Sequence, residues 1–168
     1  LSYIPSVTIN ENKVYLTNQL ESGDLGGLIE FHIKEDDGLK LSYYDSNNNE
    51  TKAYDIEQNY SFYIEANCGL IVDTEYTFDS VYLSGNSGYV NRAMLKNNST
   101  ATITGTITCE DNSEIVNYGN FVIDTLMTNE IGTFKNGTMS VREGLNGSGS
   151  TTIIEGTGTI TATNVYNS

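Results

Sequence analysis

The stretch Thr100 to Cys109, TATITGTITC, alternates without a break. Thr100, Thr102, Thr104, Thr106 and Thr108 share one side, while Ala101, Ile103, Gly105, Ile107 and Cys109 share the other. A strand sends successive side chains to opposite faces, so the pattern predicts a strand with a hydroxyl outer face and a compact apolar inner one. β-branched Thr and Ile suit such a half-buried, pleated surface. The same alternation recurs at Ile29, Phe31 and Ile33 against Glu30, His32 and Lys34, and returns at Leu39, Leu41 and Tyr43. The turn Glu35-Asp36-Asp37-Gly38 lies between them, which predicts a hairpin over 27–45. Tyr60, Phe62, Ile64, Ala66, Cys68 and Leu70 hold one continuous phase, and further strands are predicted over 76–84, 114–126, 133–143 and 151–163. Residues 92–96 read as a single helical turn, and no internal repeat of fixed period is visible.

Short strands separated by turns rich in Gly and Asn predict an all-β chain. The expected form is a single antiparallel β-sandwich of jelly-roll or Ig-like type, with a closed β-barrel as the alternative. Residues 1–19 read as an extended N-terminal arm or edge strand, either a hairpin or one long strand, and 20–168 as the sandwich domain. Pro5 cannot donate to a ladder and suits an edge. Both ends are expected to be held, by the fold or by a neighbour.

Charge narrows the partners. Asp and Glu number 22 against 8 Lys and Arg, a formal net charge of −14, which excludes phosphate-backbone binding and so nucleic acid. No run approaches the roughly 18 apolar residues of a membrane helix, so no membrane insertion is expected. The opening LSYIPSVTIN shows no basic and apolar leader, which reads as a processed or cut chain.

Cys68 and Cys109 both fall on the apolar phase of their strands, and an even count in an extracellular-looking composition predicts a disulfide between them. His32 is the one histidine, so any Ser-His-Asp arrangement would have to use it, and its outward phase marks it as a surface residue. No catalytic residue is assigned; a small barrel isomerase or cyclase is the enzymatic alternative. Asp45, Asn47 and Asn49 reproduce the ligand spacing that opens an EF-hand loop, with Glu50 beside them. Glu50 stands where that motif has Gly and Ile56 where it has Glu, so the reading is a weak calcium site in a β-loop, and calcium is the one cofactor considered. N-x-S/T sequons at Asn49, Asn59, Asn97, Asn98, Asn136 and Asn146 are candidate glycosylation sites if the chain is secreted.

These features predict a non-enzymatic secreted or cell-surface protein acting by assembly or adhesion, for example a filament or matrix subunit. Unpaired edge strands would exchange or pair between copies. The alternative is a module binding carbohydrate or a small ligand, with Tyr43, Tyr44 and Tyr63 as stacking surfaces for glycans.

Overall fold

The computed structural model describes residues 3–20, 28–44, 49–85, 92–110, 112–128, 131–139 and 152–167. Its strands are β1 (Tyr3–Asn10), β2 (Lys13–Leu20), β3 (Ile29–Glu35), β4 (Leu39–Tyr44), β5 (Glu50–Asp55), β6 (Ser61–Glu65), β7 (Cys68–Val72), β8 (Tyr76–Phe78), β9 (Val81–Ser84) and β10 (Ala93–Asn97). They continue as β11 (Thr100–Glu110), β12 (Ser113–Asn117), β13 (Asn120–Thr128), β14 (Ile131–Met139) and β15 (Thr152–Asn167). The all-β expectation holds, and the predicted hairpin over 27–45 is present as β3 and β4. Ala93–Asn97 is a strand and not a helical turn: Ala93, Leu95 and Asn97 point inward while Met94 and Lys96 do not.

The antiparallel sandwich is corrected to one curled, open, mixed sheet. Only β1/β2, β3/β4 and β4/β5 pair antiparallel; every other described pairing is parallel. Parallel neighbours cannot be joined by tight turns, so the chain must travel before it returns beside itself. Here it travels around three faces. The first face aligns Val14, Phe62, Val81, Ile107, Leu126 and Val165 in successive registers. A second aligns Phe31, Leu70, Leu95, Ile115 and Ile154, and a third aligns Phe78, Ile103, Ile123 and Ala162. Between Ile103 and Ile123, or Leu95 and Ile115, one circuit takes roughly 20 residues, within the range of stacked-coil architectures. The described coils thus form a short stack of the β-solenoid kind.

The core lies inside the stack. Val14, Phe62, Val81, Ile107, Leu126, Phe31, Leu70, Leu95, Ile115, Ile154, Phe78 and Phe121 are fully withdrawn from water. Burying each such side chain contributes about 1.5–3 kcal/mol. β11 and β13 each serve two faces, and β11 bends where its register with β13 shifts between Ile103 and Thr106. At the bend a Cβ on Gly105 would come within 2.7 Å of the Asp79 carbonyl oxygen.

The corner between the second and third faces is built on two stacked asparagines. Asn97 and Asn117 are buried in register one coil apart. Asn97 Nδ2 donates to Asn117 Oδ1 at 2.9 Å and to the Asn120 carbonyl at 3.1 Å, while Ser99 N donates to Asn97 Oδ1 at 3.1 Å. Asn117 Nδ2 donates in turn to the carbonyl of Thr159 at 3.0 Å and that of Gly119 at 3.1 Å. The corners sit so close that a Cβ on Gly119 would lie 1.9 Å from the Ser99 carbonyl oxygen.

The antiparallel strands cover the starting edge of the stack: β1 extends the sheet beyond β2, and β4 and β5 extend it beyond β3. Residues 3–20 are therefore a hairpin turned at Glu11, whose φ is 56°, and not one long strand. At the other end β14 pairs along the outside of β15.

Candidate functional site

Strands in parallel register place like positions directly above one another, at the spacing of the sheet. On the outer side of the first face this lines up Tyr15, Tyr63, Tyr82, Thr108, Met127 and Tyr166. Each of the first three rings follows an inward Val or Phe and precedes an inward Leu or Ile, which fixes its outward direction. Their rings stack: Tyr15 and Tyr63 have centroids 4.7 Å apart with planes at 14°, and Tyr63 and Tyr82 are 4.6 Å apart at 9°. All three are half-buried by this stacking, whereas Met127 and Tyr166 farther along are exposed. Burial among its neighbours holds the Tyr63 phenol above the ordinary tyrosine range. Glu65, Ser84 and Glu110 run beside the column in register and are exposed.

The predicted stacking residues are thus already in use. Tyr63 has Tyr15 against one ring face and Tyr82 against the other. Tyr43 is half-buried with its ring edge-on to Phe31 at 5.3 Å. Tyr44 meets His32 edge-on at 5.5 Å, accepts a hydrogen bond from Lys34 Nζ at 3.2 Å, and carries that ammonium over its ring. Alternation alone missed Tyr15 and Tyr82, although the triplets Val14-Tyr15-Leu16, Phe62-Tyr63-Ile64 and Val81-Tyr82-Leu83 are one motif written three times.

His32 is not a free surface residue. Its Nδ1 lies 2.7 Å from Asp73 Oδ2, and its Nε2 lies 3.7 Å from Glu30 Oε2. Asn98 Nδ2 donates to the other Asp73 oxygen at 3.1 Å. Ser42 stands opposite His32 in the β3/β4 register and is buried. A second acidic site lies on the outside of β12. There Glu114 is held above the usual carboxylate range by burial and by its hydrogen bond with Glu155, with Arg92 opposing.

The predicted disulfide is corrected: Cys68 and Cys109 are free, buried thiols. Cys68 opens the second face beside Ile29, whereas Cys109 closes the first face beside Leu83, two coils farther along. Two strand spacings, about 9–10 Å, exceed what a disulfide spans. Burial raises both thiols, that of Cys109 to about 12, and so favours the protonated form of each. Of the calcium candidates, Asp45 and Asn47 lie outside the described residues. Asn49 is exposed, and Glu50 is paired with Lys34 at 2.7 Å, an ion pair that lowers its carboxyl. No cluster of metal-ligating side chains occurs among the described residues.

Among the sequons, Asn59 and Asn98 are exposed, as is Asn49. Asn97 is corrected: it is fully buried with its amide bonded inside the corner, so it cannot carry a glycan on the folded chain. The side chain of Asn136 and the whole of Asn146 lie outside the described residues. No helix among the described residues is long and apolar enough to cross a membrane.

No family model, no curated protein and no solved structure matches this chain.

Proposed function

We propose that the chain is a non-enzymatic structural protein, secreted or at a cell surface, that acts by assembly or adhesion through the free edges of its sheet. The observation that carries this reading is the open sheet itself. Among the described residues β1 pairs only with β2, β5 only with β4, and β14 only with β15. An unpaired edge is a template for another strand. The edges are unequally protected. β1 carries Pro5 and β5 carries Glu50, Lys52 and Asp55, whereas the nine residues of β14 carry a single charge at Lys135. The reading therefore places the junction at β14, with the N-terminal hairpin covering its own subunit and not donated to a neighbour. The packed interior supports assembly over a ligand held inside a barrel.

Sedimentation and negative-stain microscopy of the full chain across a concentration series test the proposal. Regular oligomers or filaments are expected, and they should shorten to monomers when Gly132→Lys and Thr138→Lys charge the β14 edge. A particle that stays at 18.4 kDa throughout overturns it.

A further inference from the structure

The stacked phenols of the first face have a chemistry of their own, independent of what the sheet edges do. We propose that Tyr63, with Tyr82 on one side and Tyr15 on the other, is an oxidative cross-linking site at which a one-electron oxidant of the peroxidase and hydrogen peroxide class forms a carbon–carbon bond between neighbouring tyrosine rings.

The geometry favours coupling here over the rest of the chain. Two phenoxyl radicals form this carbon–carbon bond only when ring carbons ortho to their oxygens meet, so the controlling quantity is how often two tyrosine rings touch. The backbones of β2, β6 and β9 hold these rings 4.6–4.7 Å apart and nearly parallel on a half-buried face, so that neighbouring rings are in standing contact. Five other described tyrosines are engaged differently. Tyr76 is sealed in the core with its hydroxyl donating to the Glu57 carbonyl, Tyr54 and Tyr118 lie under Lys52 and Lys96, and Tyr43 and Tyr44 meet Phe31 and His32. Tyr118 and Tyr166 are the more exposed rings, at 52% and 60%, so exposure and stacking predict different products.

The reaction balances without a group from the protein. One hydrogen peroxide removes the phenolic hydrogen atom from each of two tyrosines and leaves as two waters. The two radicals join through their ortho carbons, and each displaced ring proton moves to its own oxygen, restoring both phenols. The product is lighter by two hydrogens and ties one coil to the next. A bond from Tyr63 to Tyr15 or Tyr82 closes a loop in the unfolded chain, so the cross-linked protein should melt at a higher temperature.

The test treats the dilute full-length chain with horseradish peroxidase and hydrogen peroxide, then maps cross-linked peptides by mass spectrometry beside dityrosine fluorescence. The expected product is an intramolecular link joining Tyr63 to Tyr82 or Tyr15. Tyr63→Phe should remove most of the fluorescence, since Tyr15 and Tyr82 are two coils apart. Tyr82→Phe should leave only the Tyr15–Tyr63 link, which keeps the proposal testable if Tyr63→Phe unfolds. The same treatment in denaturant should scatter the links over the 12 tyrosines. Links that map to Tyr118 or Tyr166, join only different molecules, survive Tyr63→Phe, or are the same in denaturant would each overturn the proposal.

Discussion

The stacked coils and the antiparallel strands that cover their first edge use the same inward–outward alternation but are held by different forces. In the coils, Phe62, Val81, Ile107 and Leu126 sit directly above one another, fully dry, on strands paired along both edges. In the covering strands β4 and β5, Leu41 reaches the core, but much of the contact lies at the surface. There Lys34 pairs with Glu50, Lys40 with Asp55, and Lys52 lies over Tyr54. Surface ion pairs are typically worth only about 0–1 kcal/mol and weaken in salt. The difference locates the stability of the molecule in its columns, with the hairpins acting as covers.

The largest expected effect breaks a column. Phe62→Ala removes a ring packed edge-on against Tyr76 and Phe78, and should cost about 3–5 kcal/mol in denaturant unfolding. Lys34→Ala, which removes the ion pair between β3 and the covering strand β5, should cost under about 1 kcal/mol and vanish in high salt. Equal losses would mean that the ion pairs of the covering strands hold the fold as strongly as its columns do. A smaller effect separates a buried asparagine of the corner from an exposed one outside it. Asn117→Ala strips the acceptor from Asn97 and the donor from the Thr159 and Gly119 carbonyls, and should cost about 2–3 kcal/mol. Asn98→Ala loses an exposed bond to Asp73 and should be nearly silent in the same measurement.

What could be read beforehand follows the range of the signal. Alternation is local, so the β3–β4 hairpin and the strand at Thr100 were legible from their own residues. Parallel pairing was not, because an inward phase looks the same whether the neighbour runs up or down. The phase from Tyr60 to Leu70 even runs unbroken through a corner, since Asn67 turns the chain at a φ of 69° without changing which residues point inward. The repeat was hidden by unequal circuits. Val14-Tyr15-Leu16, Phe62-Tyr63-Ile64 and Val81-Tyr82-Leu83 occupy the same place in successive coils, but the β4–β5 hairpin interrupts the first interval. Residues 92–96 misled because Ala, Met, Leu and Lys favour helices in isolation, whereas their pairing with β7 and β12 requires a strand. Asn97 shows the same limit at a site: its sequon is local, but its burial depends on Asn117 and Asn120, which only the fold brings to it.

The smallest expected effect sets two glutamates against each other. Glu50, on a covering strand, has its carboxyl lowered by Lys34; Glu114, on a coil, has its carboxyl raised by burial and by Glu155. A lowered carboxyl supplies stability above the ordinary value near 4.5 that is lost as pH falls through the folded value. A raised one does the reverse: Glu114 penalises the folded state at neutral pH, and acid relieves the penalty between its raised value and 4.5. Glu114→Gln should therefore raise the melting temperature at pH 7 and give no gain below pH 4.5, while the loss of stability in stronger acid, to which Glu50 contributes, remains. Melting curves of both proteins across that range decide the matter. A variant less stable than the parent at pH 7 would show that the pair with Glu155 holds β12 to β15, and that charge on the coils does the same work as charge on their covers.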